Sequence, residues 1–214
     1  LSEEFIREVD EDLRHQQLVS LWKKYGVYII GTAVGVILFV AVFQGYGKYM
    51  ESRYAEQALA YGEMLKTLEQ GETAKALEQL NALETSAVEG YQILAAFKKA
   101  DILLKEGDKM AAVSALDALA ASGDVDQVYR DLARFQAATM LIDTATYGDI
   151  KARLDPLTRE GNTWQFLALE MLAMSALRNG DSAEAREVLT SLVENLETPA
   201  TIKLRAEQLL NIIE

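Results

Sequence analysis

The sequence predicts an all-α protein: a single transmembrane helix followed by a solenoid of helix–turn–helix repeats. Three observations predict it. A run of 23 residues without charge, 25–47, lies near the start of the chain. Behind it a glycine followed by an acidic residue recurs four times, at spacings of 36, 41 and 32. Only two of 214 residues are proline, and alanine and leucine dominate a composition in which half the residues are hydrophobic. Such side chains lose little rotamer freedom in a helix.

The apolar run reads "YGVYIIGTAVGVILFVAVFQGYG". At 1.5 Å per residue it would be about 35 Å long, enough for a hydrocarbon core of roughly 30 Å. A buried core helix would show a polar side, and here only Thr32 and Gln44 offer one. A cleaved leader would have a shorter apolar run close to the N-terminus, whereas 24 mostly polar residues come first. Trp22, Tyr25 and Tyr28 stand at one border, and Phe43, Tyr46 and Tyr49 at the other. Amphipathic rings favour the membrane interface. Arg14, Lys23 and Lys24 precede the run, against Lys48 and Arg53 after it, a slight bias toward a cytoplasmic N-terminus. The expected organisation is a tail at 1–24, a span at 25–47 and a repeat domain at 48–214. Gly31 and Gly35 form a GxxxG pair, a spacing that lets two membrane helices approach closely. It is equally the mark of a glycine-tolerant anchor. Leu1 fits either a translated alternative start codon or a trimmed end.

The repeat is read from "LEQGETAKALEQLNAL", "LLKEGDKMAAVSALDAL", "ATYGDIKARLDPL" and "LRNGDSAEAREVLTSL". Their glycines are Gly71, Gly107, Gly148 and Gly180. Nine residues on stands a leucine each time: Leu80, Leu116, Leu157 and Leu189. Twelve on, Leu83, Leu119 and Leu192 agree, with Glu160 the exception. Five on, Ala76, Ala112 and Ala185 agree, with Arg153 the exception; three before, Leu68, Leu104 and Leu177 agree, with Ala145 the exception. Glycine suits the left-handed residue that ends a helix, and the acid after it can cap the next. A helix pair cannot bury its apolar face alone, so the units must stack. First helices are expected at 91–104, 128–143 and 163–177, with an earlier one at "YAEQALAYGEMLKTL" running on from the span. Pro156 should kink or shorten the second helix of the third unit. Thr198 should cap, and Pro199 open, a closing helix.

This period and grammar resemble the tetratricopeptide repeat. "SEEFIREVDEDLRHQQLVSLWKKYG" ahead of the span, the late "RLDPLTREGNTWQFLALEMLAMSALRNGDSAEAREVL" and "TPATIKLRAEQLL" together resemble the YfgM-like family of bacteria, ancillary subunits of the SecYEG translocon. The resemblance implies a cytoplasmic N-terminus, an inner-membrane span and a periplasmic repeat domain. It implies protein partners: Sec translocon subunits, periplasmic folding factors and emerging envelope proteins. The expected role is a membrane-anchored adaptor with a chaperone-like surface. The alternative is a structural scaffold for an envelope division or secretion complex.

Chemistry is sparse. The lone histidine, His15, has no cysteine near it, so a typical zinc site is excluded. Glu8, Asp10, Glu11 and Asp12 lack calcium-loop spacing, and Asp124 and Asp126 have no partner motif. No phosphate-binding glycine loop or nucleophile elbow occurs. No enzyme, cofactor, metal or small-molecule substrate is expected. The net charge is −12. Residues 1–24 carry four basic and six acidic side chains and Lys48 one charge more, which leaves −11 for 51–214. So acidic a domain repels a phosphate backbone, against nucleic-acid binding. First-helix residues line the groove of a tetratricopeptide stack, and Tyr91, Lys98, Arg130, Arg134 and Gln165 are its expected contacts. The competing expectation is an aromatic residue in the core and solvated charges around it.

Overall fold

The computed structural model describes residues 2–86 and 88–213, without the side chains of 2–18, 20, 29 and 86. Leu1 and the side chains of Glu8, Asp10, Glu11, Asp12 and His15, considered above, lie outside the described residues. Among the described residues there are nine α-helices, one 3-10 turn and no strand. In order they are α1 (Ser2–Glu69), α2 (Thr73–Ser86), α3 (Glu89–Lys105), α4 (Lys109–Ala121) and α5 (Gln127–Leu141). Then come α6 (Tyr147–Leu154), the 3-10 turn Asp155–Leu157, α7 (Gln165–Arg178), α8 (Ser182–Glu194) and α9 (Ala200–Ile213). The chain divides into two units, Leu1–Ala55 and Glu56–Glu214.

In the first unit α1 is long and apolar enough to cross a membrane, its most apolar window having a mean hydropathy of 2.5. Val27, Ile37, Phe39 and Val42 are exposed along it. A contiguous apolar surface of this kind needs a non-aqueous neighbour.

The second unit is a stack of helix pairs. The end of α1 pairs with α2, α3 with α4, α5 with α6 and α7 with α8, while α9 closes on α8 and α7. Three turns are built alike. Gly71, Gly107 and Gly180 have φ of 79°, 87° and 82°. Each glycine N–H donates to the carbonyl three residues back, and the next N–H to the carbonyl five residues back, as in Asp108 N–H to Leu103 at 2.9 Å. This is the Schellman arrangement, which satisfies two carbonyls at the helix end. The side chains of Asp108 and Asp181 then accept from Ala111 N–H and Glu184 N–H, both at 3.0 Å. Glu72 does otherwise and pairs with Lys75 at 2.9 Å.

The third turn corrects the sequence reading. Gly148 is not its turn residue but the second residue of α6, behind a capping box made by Thr146 and Asp149. Thr144 and Ala145 N–H both donate to Leu141 O at 2.9 Å, so α5 ends without a left-handed residue. The Arg178 guanidinium binds the carbonyls of Asp143 and Ala145 from the next unit, doing from outside what the Schellman bonds do within. The turn position is therefore Ala145, three residues earlier, and the spacings become 36, 38 and 35. The third unit then matches the others in burial, although Ala145 and Thr146 replace the glycine and the acid and Ile150 replaces the alanine. Five, nine and twelve beyond Ala145 stand Ile150, Leu154 and Leu157, all fully buried. Arg153 and Glu160 belong outside the core, and Pro156 sits in the 3-10 turn that cuts α6 to eight residues.

Two further expectations need amending. Three before the turn the repeats differ: Leu68 and Ile142 pack against the core clusters, whereas Leu104 is exposed. Thr198 does not cap α9; its buried hydroxyl has no hydrogen-bond partner, and Ile202 and Lys203 N–H donate to Pro199 O instead. The glycine roles give a direct test. Gly107→Ala should destabilise by about 1 kcal/mol, because alanine resists positive φ. Gly148→Ala should be neutral or stabilising by a few tenths, since its added Cβ meets only Thr146 Oγ1 at 3.9 Å. Thermal midpoints of the two variants check this, and equal losses would refute the corrected turn.

The core is continuous along the stack because α3 and α7 each face two clusters. Ala95 and Ile102 join Met64, Leu80 and Leu83, while Ile93 and Ala100 join Leu116 and Ala137. Ala168 and Leu172 belong to that second cluster, and Ala173 joins Leu189, Leu192, Ile202 and Ala206. Polar ties one repeat long reinforce it. Val88 N–H donates to Gln57 Oε1 at 2.9 Å, Asp126 N–H to Glu89 at 3.2 Å, and Asn162 Nδ2 to Asp131 at 2.9 Å. Between second helices, Arg153 pairs with Asp117 at 2.8 Å, and the Tyr147 hydroxyl donates to Glu184 at 2.6 Å. Burial, then that carboxylate, pushes the phenol well above its ordinary pKa.

Candidate functional site

The corrected register defines a face on the first helices. Seven residues before each turn position stands a buried residue, Met64, Ala100, Ala138 or Ala173, against which the pair closes. Positions thirteen, ten and six before the turn lie three or four residues apart, on one side of each helix. The thirteen-before row is Ala58, Leu94, Leu132 and Leu167. The ten-before row is Tyr61, Phe97, Phe135 and Glu170, and the six-before row is Leu65, Asp101, Thr139 and Met174. All but Glu170 are exposed or half-buried. Three successive repeats thus place an aromatic ring at the same position, with a leucine row beside it.

Two of the rings are braced by the neighbouring repeat. Tyr61 packs against Tyr91 with centroids 6.2 Å apart, and Phe135 stacks on Trp164 at 5.0 Å. Trp164 is held in turn by its own N–H, which donates to Asn162 Oδ1 at 2.8 Å. Glu170 ends its row, buried and accepting from Arg205 Nε and one terminal guanidinium nitrogen, each at 2.5 Å.

The charges on this face neutralise one another. Asp101 accepts from Lys105 at 3.0 Å and from Lys98 at 3.4 Å. The Lys105 hydrogen bond above all, against a modest desolvation, holds its carboxyl below the ordinary range. Tyr61 is pushed up by burial and then by the charge of Asp101, which places the phenol and the carboxylate in one neighbourhood.

Of the residues expected from sequence, Lys98 stands on this face, beside the ten-before row. Tyr91 is half-buried and packed against the first core cluster. Arg134 donates to Asp131 at 3.0 Å and to Ala120 O at 2.9 Å, which ties α5 to α4. Arg130 is partly buried, and its Nε has no hydrogen-bond partner. Gln165 opens α7 and is half-buried. Sequence reasoning passed over Leu94, Leu132, Phe97 and Phe135 as groove residues, and the offset shared by the two repeats emerges only once the third turn is placed at Ala145. Gly31 and Gly35 are exposed, with open space where a Cβ would stand.

Open clefts lie elsewhere in the second unit. One of about 220 Å³ lies between α2, α3 and α4 over Ala96, Ala115 and Ala118, and the Lys99–Glu84 pair at 2.8 Å borders it. One of about 430 Å³ lies beside Met110, Leu141 and Arg153. Among the described residues no group of three or more histidine or acidic side chains could hold a metal ion.

A family model described as a tetratricopeptide repeat-like domain matches residues 20–186, which takes in the apolar run and all four helix pairs up to the first turn of α8. Neither the curated proteins nor the solved structures contain a match to the chain.

Proposed function

Because the chain belongs to the tetratricopeptide repeat-like family, a protein-interaction module, we propose that it is a membrane-anchored adaptor with a chaperone-like role. Residues 25–47 cross the bacterial inner membrane, 1–24 remain cytoplasmic, and 48–214 present a binding surface in the periplasm. The partners are subunits of the Sec translocon, periplasmic folding factors and envelope proteins emerging from the channel. Affiliation with the YfgM-like family is part of this reading, and "EVDEDLR" and "WKKYG" ahead of the span support it. Tethering raises the effective concentration of the surface near emerging chains without strong intrinsic affinity. The Gly31–Gly35 side of the span is where a second membrane helix would approach.

One observation supports the reading above the others: the half-exposed leucine and aromatic rows of the first helices. A partly exposed apolar surface that recurs in each repeat costs solubility unless it is used. Lys98 belongs to the proposed surface, and Tyr91, Arg130, Arg134 and Gln165 border it. No residue in it is assigned a catalytic role. Photo-crosslinkers placed at Leu94 and Leu132 in living cells should recover channel subunits or non-native envelope proteins. A single folded, stoichiometric partner would favour the scaffold reading, and capture of neither at either position would sink the proposal.

A further inference from the structure

The acidity of the repeat unit is not spread evenly over it. The four turns that end the first helices carry Glu72, Glu106, Asp108, Asp143 and Asp181 and no basic residue. All five side chains are exposed. The loops at the opposite ends of those helices carry Asp124, Asp126, Glu160 and Glu197 against Arg159 alone, and these acids are exposed too. Helices joined by short turns run antiparallel, so successive first helices are parallel to one another. Their shared face is therefore bounded along both edges by acidic loops. The floor differs. Its lysines 98 and 105 share Asp101 and Arg178 is committed to the carbonyls of the third turn, which leaves Lys66, in the last turn of α1, as an exposed cation at one end.

We infer that this face, if it is the binding face proposed above, takes apolar segments flanked by basic residues and discriminates against acidic tails. The leucine and aromatic rows supply apolar contact for the centre of such a segment. A floor cation already shared with a carboxylate gives little to an incoming carboxylate, whereas the rims attract flanking lysines or arginines. Exposed rim charges act mainly through long-range attraction, which raises the rate of encounter and weakens with salt. Complementarity of charge thus selects among clients, while apolar contact holds them.

The test uses the full chain in zwitterionic lipid nanodiscs, with empty discs as the blank. Three fluorescent peptides share one apolar centre and differ in flanks of lysine, glutamate or serine. The lysine-flanked peptide should bind on the order of tenfold tighter than the glutamate-flanked one at low salt. The preference should shrink at high salt and in the variant Glu106→Lys, Asp143→Lys, neither of whose side chains caps a helix. Equal binding of all three peptides would overturn the charge preference while leaving the apolar face as the binding site. Tighter binding of the glutamate-flanked peptide, lost in Lys98→Ala, would reverse it. Binding of none would overturn the binding face itself and this inference with it.

Discussion

Leu154→Ala is expected to cost about 3 kcal/mol, because it removes a fully buried side chain from the middle of the stack. The adjacent change, Arg153→Ala, should cost under about 1 kcal/mol, since it breaks a partly exposed pair with Asp117 and an exposed bond to Asp149 O. A repeat counted from Gly148 predicts nothing special at residue 154. Counted from Ala145, residue 154 is the equivalent of Leu80, Leu116 and Leu189, each wholly buried. Urea unfolding of the detergent-solubilised chain, followed by far-ultraviolet circular dichroism, separates the two counts. Similar losses from both substitutions would show that α6 does not pack in the register described.

Arg205→Ala should be nearly as damaging, at about 3 kcal/mol, although half of the arginine side chain is exposed. The loss comes from the other partner. Glu170 lies buried on α7, and without the guanidinium its carboxylate has lost its counter-charge. Glu170→Gln in the same background should recover much of the stability, because a neutral amide needs no counter-ion. Hydrogen exchange of the α9 amides is the sharpest readout, since α9 is the element that the pair fastens. If Arg205→Ala leaves α9 protected, the pair is incidental. If the double variant is no better than the single one, the loss has some other origin than a stranded charge.

The helical stack was legible because its signals are local and redundant. A glycine that takes positive φ recurs in three units out of four and an aspartate that caps in two, while a buried leucine stands nine residues beyond every turn position, and each follows from backbone geometry. The third unit was misread by three residues for a physical reason. A turn can be closed by a distant cation as well as by a glycine, and Arg178 lies 33 residues beyond Ala145. No local pattern announces that. The same limit applied to the expected contacts. Arg134 looks like an available charge until its bond to a carbonyl of α4 is seen, and Tyr91 until its packing against Tyr61 is seen. Selecting groove residues by polarity favoured side chains already occupied within the fold. Selecting by offset from the corrected turn finds the apolar rows, in which Leu94 is exposed while Tyr61, Phe97 and Phe135 are half-buried against the core clusters.

The polar ties between repeats bear on the order in which the chain can fold. Each hydrogen-bonded side chain described above has its partner no more than 37 residues away. A chain that reaches its compartment from one end could therefore lock each repeat as soon as the next one has followed it. None of these ties makes an early repeat wait for a residue at the far terminus, which keeps loop-closure costs small. Lengthening the stack by a repeat would add one more set of ties and leave the earlier ones untouched. Removing an internal repeat would instead bring together side chains that were never paired. Duplication is thus the milder change, and a stack of this kind can grow more easily than it can be shortened.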